Sequence, residues 1–234
     1  MSLGLGNNLS RTGLITPGIV TSNLVLKHKY DAGGVIPVSD GAAYFDGAND
    51  YISITDSDDL SFGDDTNDSA MTVSAWIYPI DATSFPVISK NSTSHREWIL
   101  LLGNDDKIYF YVYDNSASAY QGRVYGTTVT SLENTWFHVA ATYNGDESDA
   151  DAGICLYLNG ARVDDANFTS GSYTAMENKG AVTTIGRSVV NGYYADGYIC
   201  NANVFSAALT QPQIKSIMNK NYAGLTTGTG GETE

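Results

Sequence analysis

Short stretches of strand-forming residues recur along most of this chain with turn residues between them, and this recurrence most limits how the chain can fold. Within each stretch apolar and polar residues tend to alternate, as they do in a β-strand that buries one face. Many short strands with few helices predict an all-β fold of two packed antiparallel sheets. The predicted strands span residues 44–54, 71–78, 87–90, 97–102, 107–113, 123–129, 135–143, 154–159, 181–186 and 197–205.

One helix is predicted near the C-terminus, at residues 211–220. Thr210 is a favourable N-cap residue, and Gln213 follows at the spacing of a capping box. The apolar residues of this segment recur at helical spacing, so they should form one stripe that covers an end of the sandwich. That stripe consists of Ile214, Ile217 and Met218.

The chain is strongly acidic, with a formal net charge of −14 over 234 residues. Binding to a phosphate backbone needs clustered Lys and Arg, so the charge predicts no nucleic-acid partner. The sequence contains no run of about 18 apolar residues, so no membrane insertion is predicted. Residues 1–8 lack the basic start and the apolar stretch of a secretory signal, so we expect no export route from the sequence as it stands.

Several blocks of sequence resemble one family of folds. Ala43–Ile54 and Tyr194–Thr210 are each typical of a strand with its turn, and Trp136–Gly145 and Leu156–Gly160 of two strands joined by a turn. Thr72–Ile77 is typical of an alternating core strand. Together they resemble the laminin G-like branch of the concanavalin A-like lectin/glucanase superfamily. The resemblance implies an antiparallel two-sheet jelly-roll sandwich in which the first and last blocks pair, and a function in binding more often than in catalysis.

The resemblance also divides the chain. Residues 24–222 are predicted to be one laminin G-like jelly-roll domain, which opens with a strand at Asn23–Tyr30. Residues 1–23 precede it and are predicted to be an extended N-terminal arm. Residues 223–234 are rich in Gly and Thr and are predicted to be a flexible tail.

The sequence predicts no catalytic centre. Relatives that hydrolyse glycans carry two carboxylates on one strand, close enough to flank a glycosidic bond. Glu97 is the nearest candidate, but it has no carboxylate partner at strand spacing, and we expect it to face solvent at a strand start. The three histidines are scattered, and His138 is predicted to be structural. The protein is therefore predicted not to be an enzyme.

A run of outward tyrosines is the first candidate binding surface. In the strand at 107–113, Tyr109, Tyr111 and Tyr113 alternate with apolar residues, and Tyr157 is expected to join them from a strand of the same sheet. Tyrosine rings stack on sugars and also suit protein interfaces. This face is therefore predicted to bind glycans or to be covered by a loop or a neighbouring protomer, with plain solvent exposure as the third alternative.

A calcium site is the second candidate, and it is implied by the resemblance. Asp46, Asp50 and Asp196 would meet if the two end strands pair, and Ca²⁺ takes several oxygen ligands. The alternative for Asp46 is a turn, because Asp-Gly is a strong turn pair. Cys200 and Asn201 stand where relatives usually have acidic residues, which argues against the metal site. The acidic stretches at 56–68 and 145–153 are either solvated surface or further calcium ligands.

The two cysteines are predicted not to pair. Strand alternation places Cys155 on the face opposite Ile154 and Leu156, which points away from the core. Cys200 shares a face with Ala202 and is expected to point inward. A disulfide requires Cβ atoms that face each other at close range, which this arrangement does not provide.

Two functions of different class remain open. The opening residues, 2–8 and 14–28, resemble those of bacteriophage structural proteins that carry a laminin G-like domain. This implies a virion protein, either a capsid decoration or a tail or fibre component, that contacts other virion subunits or host surface glycans as a homo-oligomer. The alternative is a secreted or cell-surface lectin-like adhesion module that binds carbohydrate outside the cell.

Overall fold

A computed structural model describes residues 41–149 and 153–220 of the chain. The predicted arm, the first predicted strand and the predicted tail lie outside these residues. Most of the regular secondary structure in the described part is β-strand, as the sequence predicts. Its strands are β1 (Ala43–Asp46), β2 (Ile52–Ile54), β3 (Met71–Asp81), β4 (Phe85–Asn91), β5 (Arg96–Leu102), β6 (Ile108–Asp114), β7 (Ala119–Val124), β8 (Phe137–Tyr143), β9 (Ile154–Leu158), β10 (Ala161–Arg162), β11 (Ala166–Asn167), β12 (Thr183–Ile185), β13 (Arg187–Ser188), β14 (Tyr193–Tyr194) and β15 (Asp196–Phe205).

The strands form two large antiparallel sheets and one small ribbon. Sheet I has six strands in the order β1-β15-β3-β8-β9-β10, and sheet II has seven in the order β11-β7-β6-β5-β4-β12-β2. The ribbon is β13-β14. The first and last strands of the described part, β1 and β15, are neighbours in sheet I, where Tyr44 lies opposite Tyr198. The predicted pairing of the two end blocks is therefore confirmed.

The core lies between the two sheets. From β3 of sheet I, Val73, Ala75 and Ile77 point into it, and all three are fully buried. From β6 of sheet II, Ile108 and Phe110 point into it with Val112. Alternation along these strands therefore predicted the correct faces. Burial of this apolar surface is the main contribution to the stability of the sandwich.

Two of the predicted strands differ in extent from the observed ones. The strand predicted at 44–54 is interrupted after Asp46, because residues 47–50 form a turn, and its two halves join different sheets. The strand predicted at 123–129 begins earlier, as β7, and ends at Val124. The remaining predicted strands between 71 and 205 are present, with shifts of a few residues at their ends.

The predicted helix is present as α1 (Gln211–Ile217), and Thr210 N donates to Gln213 Oε1 at 2.8 Å in its capping box. It lies against the outer face of sheet I and does not cover an end of the sandwich. Ile214 packs there with Tyr157, and Trp76 Nε1 donates to Met218 O at 2.9 Å. Among the described residues, no helix is long and apolar enough to span a bilayer.

The cysteines are not bonded to each other. Cys155 lies on the outer face of sheet I, as predicted. Cys200 lies on the same outer face, in contact with Trp76, so the predicted inward direction is wrong. The reason is a bulge after Cys200, which shifts the register between β15 and β3. Beyond it Ala202 packs against the core, so simple alternation fails across this point.

Candidate functional site

The predicted tyrosine face of β6 exists but is covered. Tyr109, Tyr111 and Tyr113 point away from the core on sheet II, as alternation predicts. The chain itself covers them, because Phe168 lies 4.9 Å from the Tyr109 ring and 5.3 Å from the Tyr111 ring. Tyr111 and Tyr113 are each only 7 % exposed. Burial raises the pKa of both phenols. A covering loop, one of the three predicted alternatives, accounts for this face.

Tyr157 does not join these tyrosines. It lies on β9 of sheet I, where it packs against Ala140 and Ile214 beneath α1. The expectation that the four tyrosines share one sheet is therefore wrong. Placing Tyr157 required knowledge of which strands pair, and alternation within a strand does not supply it.

A different set of aromatic side chains forms an open row on the outer face of sheet I. Tyr44 on β1 lies opposite Tyr198 on β15, which lies opposite Tyr78 on β3. Trp136 directly precedes β8 and continues the row beside Tyr78. We call these four residues, Tyr44, Tyr198, Tyr78 and Trp136, the aromatic platform.

The rings of the aromatic platform are in contact. Ring centroids lie 5.0 Å apart for Tyr44 and Tyr198, 5.7 Å for Tyr198 and Tyr78, and 5.6 Å for Tyr78 and Trp136. These spacings follow the strand separation of about 4.8 Å, because each strand contributes one ring. Tyr44 is 52 % exposed and Tyr198 is 37 % exposed, while the other two rings are half-buried. Large apolar surface of this kind left open is typical of an interaction site.

Helix α1 explains why the platform begins where it does. The neighbouring row of outward side chains consists of Cys200, Trp76 and His138. Cys200 and Trp76 pack against Met218 at the end of the helix, and the His138 ring contacts Trp76. His138 is buried and its ring packs edge-on against Trp76 with centroids 5.5 Å apart, which agrees with the predicted structural role, and burial lowers its pKa to about 3. The helix therefore covers one part of the outer face and leaves the aromatic platform open beside it.

A row of three carboxylates borders the platform on its other side. Asp46, Asp196 and Asp81 lie opposite one another on β1, β15 and β3. Desolvation, Asp81 and Asp46 together raise the pKa of Asp196, whereas hydrogen bonds from backbone amides lower the pKa of Asp46. Carboxylate oxygens accept hydrogen bonds from hydroxyl groups. The surface thus combines aromatic rings with hydrogen-bond acceptors.

The candidate calcium ligands are only partly brought together. Asp46 and Asp196 do lie opposite each other. Asp46 Oδ1, however, accepts from the backbone amides of Ala48, Asn49 and Asp50 at 2.9–3.4 Å, which is the turn predicted as the alternative. Within residues 41–149 and 153–220, no group of three or more His, Cys, Asp or Glu side chains is arranged to hold a metal ion.

Glu97 does not face solvent, and that expectation is wrong. Its side chain is completely buried, 3.6 Å from the equally buried Lys90 Nζ. Lys90 Nζ in turn donates to Asp56 Oδ1 at 2.5 Å. Burial raises the pKa of Glu97 to about 7, with Lys90 acting in the opposite direction. Two buried residues of opposite charge thus lie on the neighbouring strands β4 and β5 of sheet II, and the sequence pattern did not predict this.

Part of the acidic stretch at 56–68 is drawn into the protein, because Asp68 is partly buried. Asp68 accepts hydrogen bonds from Tyr143 Oη at 2.7 Å, from Tyr173 Oη at 2.5 Å and from Met176 N at 2.8 Å. Desolvation raises the pKa of this carboxyl. Asp68 therefore joins segments distant in sequence, whereas its neighbours Asp64 and Asp65 are exposed. The prediction of a solvated surface holds for those neighbours and is wrong for Asp68.

Solved structures similar to this chain share its fold. A candidate carbohydrate-binding protein of Bacteroides ovatus is 20 % identical with a TM-score of 0.51, and 76 % of this chain covers 46 % of that one. The receptor-binding domain of botulinum neurotoxin D is 17 % identical with a TM-score of 0.50, over 76 % of this chain and 46 % of that one. The binding domain of Paraclostridial mosquitocidal protein 1 is 13 % identical with a TM-score of 0.51, over 75 % and 42 %. This chain therefore spans less than half of each of the three.

No curated protein matches the sequence. A family profile described as the concanavalin A-like lectin/glucanases superfamily matches residues 46–215, which include all of sheet II, all of sheet I except most of β1, and most of α1. That match covers well over half of the chain, and it agrees with the sandwich architecture. The chain therefore belongs to the concanavalin A-like lectin/glucanases superfamily.

Proposed function

We propose that this protein is a non-catalytic binding module that binds neutral glycan chains on the aromatic platform. The observation that carries the proposal is the open row of four contacting rings across four neighbouring segments of sheet I. Such a row is long and shallow, so it suits consecutive units of an extended chain better than a single small molecule. Sugar rings have apolar faces that stack on aromatic side chains, and tyrosine hydroxyls add hydrogen bonds.

The carboxylates beside the platform define the class of glycan. Asp46, Asp81 and Asp196 accept hydrogen bonds from sugar hydroxyls but repel carboxylate or sulfate groups. The chain as a whole has a net charge of −14, which adds to that repulsion at low salt. Neutral glycans are therefore the proposed ligands. The related fold of a candidate carbohydrate-binding protein supports this use of the scaffold.

Replacement of Tyr198 by alanine should weaken binding to a neutral polysaccharide about 10- to 100-fold. Tyr198 contacts Tyr44, Tyr78 and Trp136, so its removal interrupts the row at its centre. Such a loss corresponds to about 1.4–2.8 kcal/mol, which is typical of a binding hot spot. Affinity electrophoresis in gels containing a panel of neutral polysaccharides measures the change directly.

Tyr51→Ala is the matched control for that experiment. Tyr51 is 43 % exposed, comparable to the platform tyrosines, but it contacts Tyr194 and Arg187 elsewhere on the surface. The control should bind like the wild type. Equal retardation of Tyr198→Ala and wild type, or the absence of any binding to the panel, would contradict the proposal.

We also infer that the module acts on a phage particle, either as a capsid decoration or as a tail or fibre component. There the platform would bind a glycan of the host surface or contact other virion subunits. The resemblance of residues 2–8 and 14–28 to phage structural proteins supports this location. A secreted or cell-surface adhesion module is the alternative.

Size-exclusion chromatography with light scattering of the full chain is expected to give a closed homo-oligomer. A monomer would argue against assembly on a particle.

A further inference from the structure

A buried lysine of sheet II lies between two carboxyl groups. Lys90 on β4 is fully buried, and its Nζ donates to Asp56 Oδ1 at 2.5 Å and to Ser57 O at 3.2 Å. On the neighbouring strand β5, Glu97 is also fully buried, with Oε1 at 3.6 Å from the same nitrogen. An amine, a carboxylate in contact with it and a second carboxyl group thus share one largely enclosed site.

The segment that follows β2 covers this site. Lys90 Nζ donates to Ser57 O, and Trp98 Nε1 donates to Leu60 O at 2.9 Å, so both bonds hold residues 57–60 against the sheet. The Asp56 side chain is 34 % exposed, whereas the Lys90 side chain is not exposed at all. Solvent therefore reaches the carboxylate from one side and is excluded from the amine.

This geometry suits the formation of an amide bond between Lys90 and Asp56. The hydrogen bond from Nζ to Oδ1 places the carboxyl carbon, one bond further on, close to attack distance. Groups that are held in such a position react as if each were present at a very high concentration. A lysine amine that has lost its hydration shell is also an effective nucleophile in proteins.

Glu97 supplies a group that can transfer protons in such a reaction. Burial raises its pKa to about 7, and Asp56 acts in the same direction while Lys90 opposes it. Near neutral pH the Glu97 carboxyl therefore occurs in both its protonated and its ionised form. A group of this kind both accepts and donates protons efficiently. Its Oε1 lies 3.6 Å from the nitrogen that would react.

We propose that Lys90 and Asp56 condense to an intramolecular isopeptide bond, with Glu97 carrying a proton between the reacting atoms. The Lys90 ammonium first passes one proton to the Asp56 carboxylate, which leaves a neutral amine and a carboxylic acid. The Nζ lone pair attacks Cγ, and the carbonyl π electrons move to the carbonyl oxygen. Ionised Glu97 then takes a second proton from Nζ and delivers it to the Asp56 hydroxyl. The C=O double bond reforms as this oxygen leaves as water, so the Nζ–Cγ bond replaces one Cγ–O bond and Glu97 returns to its initial state.

The bond would tie the segment after β2 to β4. Strand β2 is the edge strand of sheet II, and it pairs with β12 over Ile52–Ile54 alone. A covalent bond at Asp56 would keep this short edge strand in place, because it closes a loop in the chain as a disulfide does. The proposal does not depend on glycan binding at the platform.

Mass spectrometry of the full chain tests the proposal. Because the Asp56 side chain is partly solvated, we expect a slow reaction and fresh protein that is mostly unreacted. Incubation for several days at neutral pH should yield a form that is lighter by one water molecule. After denaturation and digestion with trypsin, this form should give a peptide of residues 30–96 that is uncut at Lys90.

The same digest distinguishes two other products that also lack one water molecule. Cyclisation of Asp46 onto the backbone nitrogen of Gly47 would leave Lys90 open to trypsin. An amide between Lys90 and Glu97 would add residues 97–107 to the uncut peptide. Either product in place of the peptide 30–96 would contradict the proposal.

Variants test the role of each group. Glu97→Gln should keep its full mass because it cannot carry a proton, and Asp56→Ala because it has no carboxyl group. Asp56→Asn should lose one ammonia molecule instead of water, with Lys90 again uncut. Asp59→Ala removes an exposed carboxylate from the same segment and should react like the wild type.

Circular dichroism of each variant confirms that it is folded before incubation. The proposal is overturned if the wild type keeps its full mass, as an unreacted ion pair would. It is also overturned if Asp56→Ala forms the uncut peptide, or if folded Glu97→Gln reacts as fast as the wild type.

Discussion

Replacement of Asp68 by alanine is expected to lower the free energy of unfolding by about 3–5 kcal/mol, because it leaves several buried donors without an acceptor. The Asp68 carboxylate accepts from Tyr143 Oη, Tyr173 Oη and Met176 N, and the Tyr143 side chain is fully buried. Each orphaned donor costs about 1–3 kcal/mol of desolvation that is no longer offset. Urea denaturation followed by tryptophan fluorescence measures the difference.

Asp59→Ala is the control for this prediction. It removes one carboxylate from an exposed 3-10 turn at Asp58–Leu60 and should change the free energy of unfolding by less than about 0.5 kcal/mol. Asp68→Asn keeps one acceptor oxygen, so its loss of unfolding free energy should lie between those of Asp68→Ala and Asp59→Ala. If Asp68→Ala were as stable as Asp59→Ala, the hydrogen bonds to Asp68 would contribute nothing to the fold.

Replacement of Glu97 by glutamine is expected to change how stability depends on pH. Burial raises the pKa of Glu97 from 4.5 to about 7, so the folded state binds this proton more tightly than the unfolded state. The resulting stabilisation is complete below pH 4.5 and is lost as the pH rises towards 7. Glutamine cannot ionise, so the free energy of unfolding of the variant should rise by about 3 kcal/mol relative to that of the wild type between pH 4.5 and pH 8.

The measurement is a series of urea denaturations of both proteins at pH 4.5, 6, 7 and 8. The difference in unfolding free energy should be small at pH 4.5 and should widen towards pH 8. Asp59→Asn removes a surface carboxylate instead, and its difference from the wild type should change little over this range. A gap between Glu97→Gln and wild type that stays constant with pH would mean that Glu97 ionises at its ordinary pKa.

The sequence was a good guide to the faces of individual strands. Alternation in β3 and β6 placed Val73 and Phe110 in the core and Tyr111 on the opposite face, as the structure confirms. It failed for Cys200, where a bulge displaces the register, and for Glu97, where a charged residue is buried beside Lys90. Alternation assumes an uninterrupted strand and a polar outer face, and neither assumption holds at those positions.

For the binding surface too, the sequence predicted one part and only the tertiary structure showed the rest. The two end blocks of the sequence carry Tyr44 and Tyr198 with Asp46 and Asp196, and their resemblance to a known family correctly implied that they pair. The sequence alone therefore determined the strands, most of their faces and the family. Whether an aromatic face is open depends on what packs over it. Phe168 covers the tyrosines of β6, whereas α1 stops short of the platform, and both result from contacts between segments far apart in the chain. Only the tertiary structure decided this, because alternation within a strand reports the direction of a side chain and not the residues that lie beyond it.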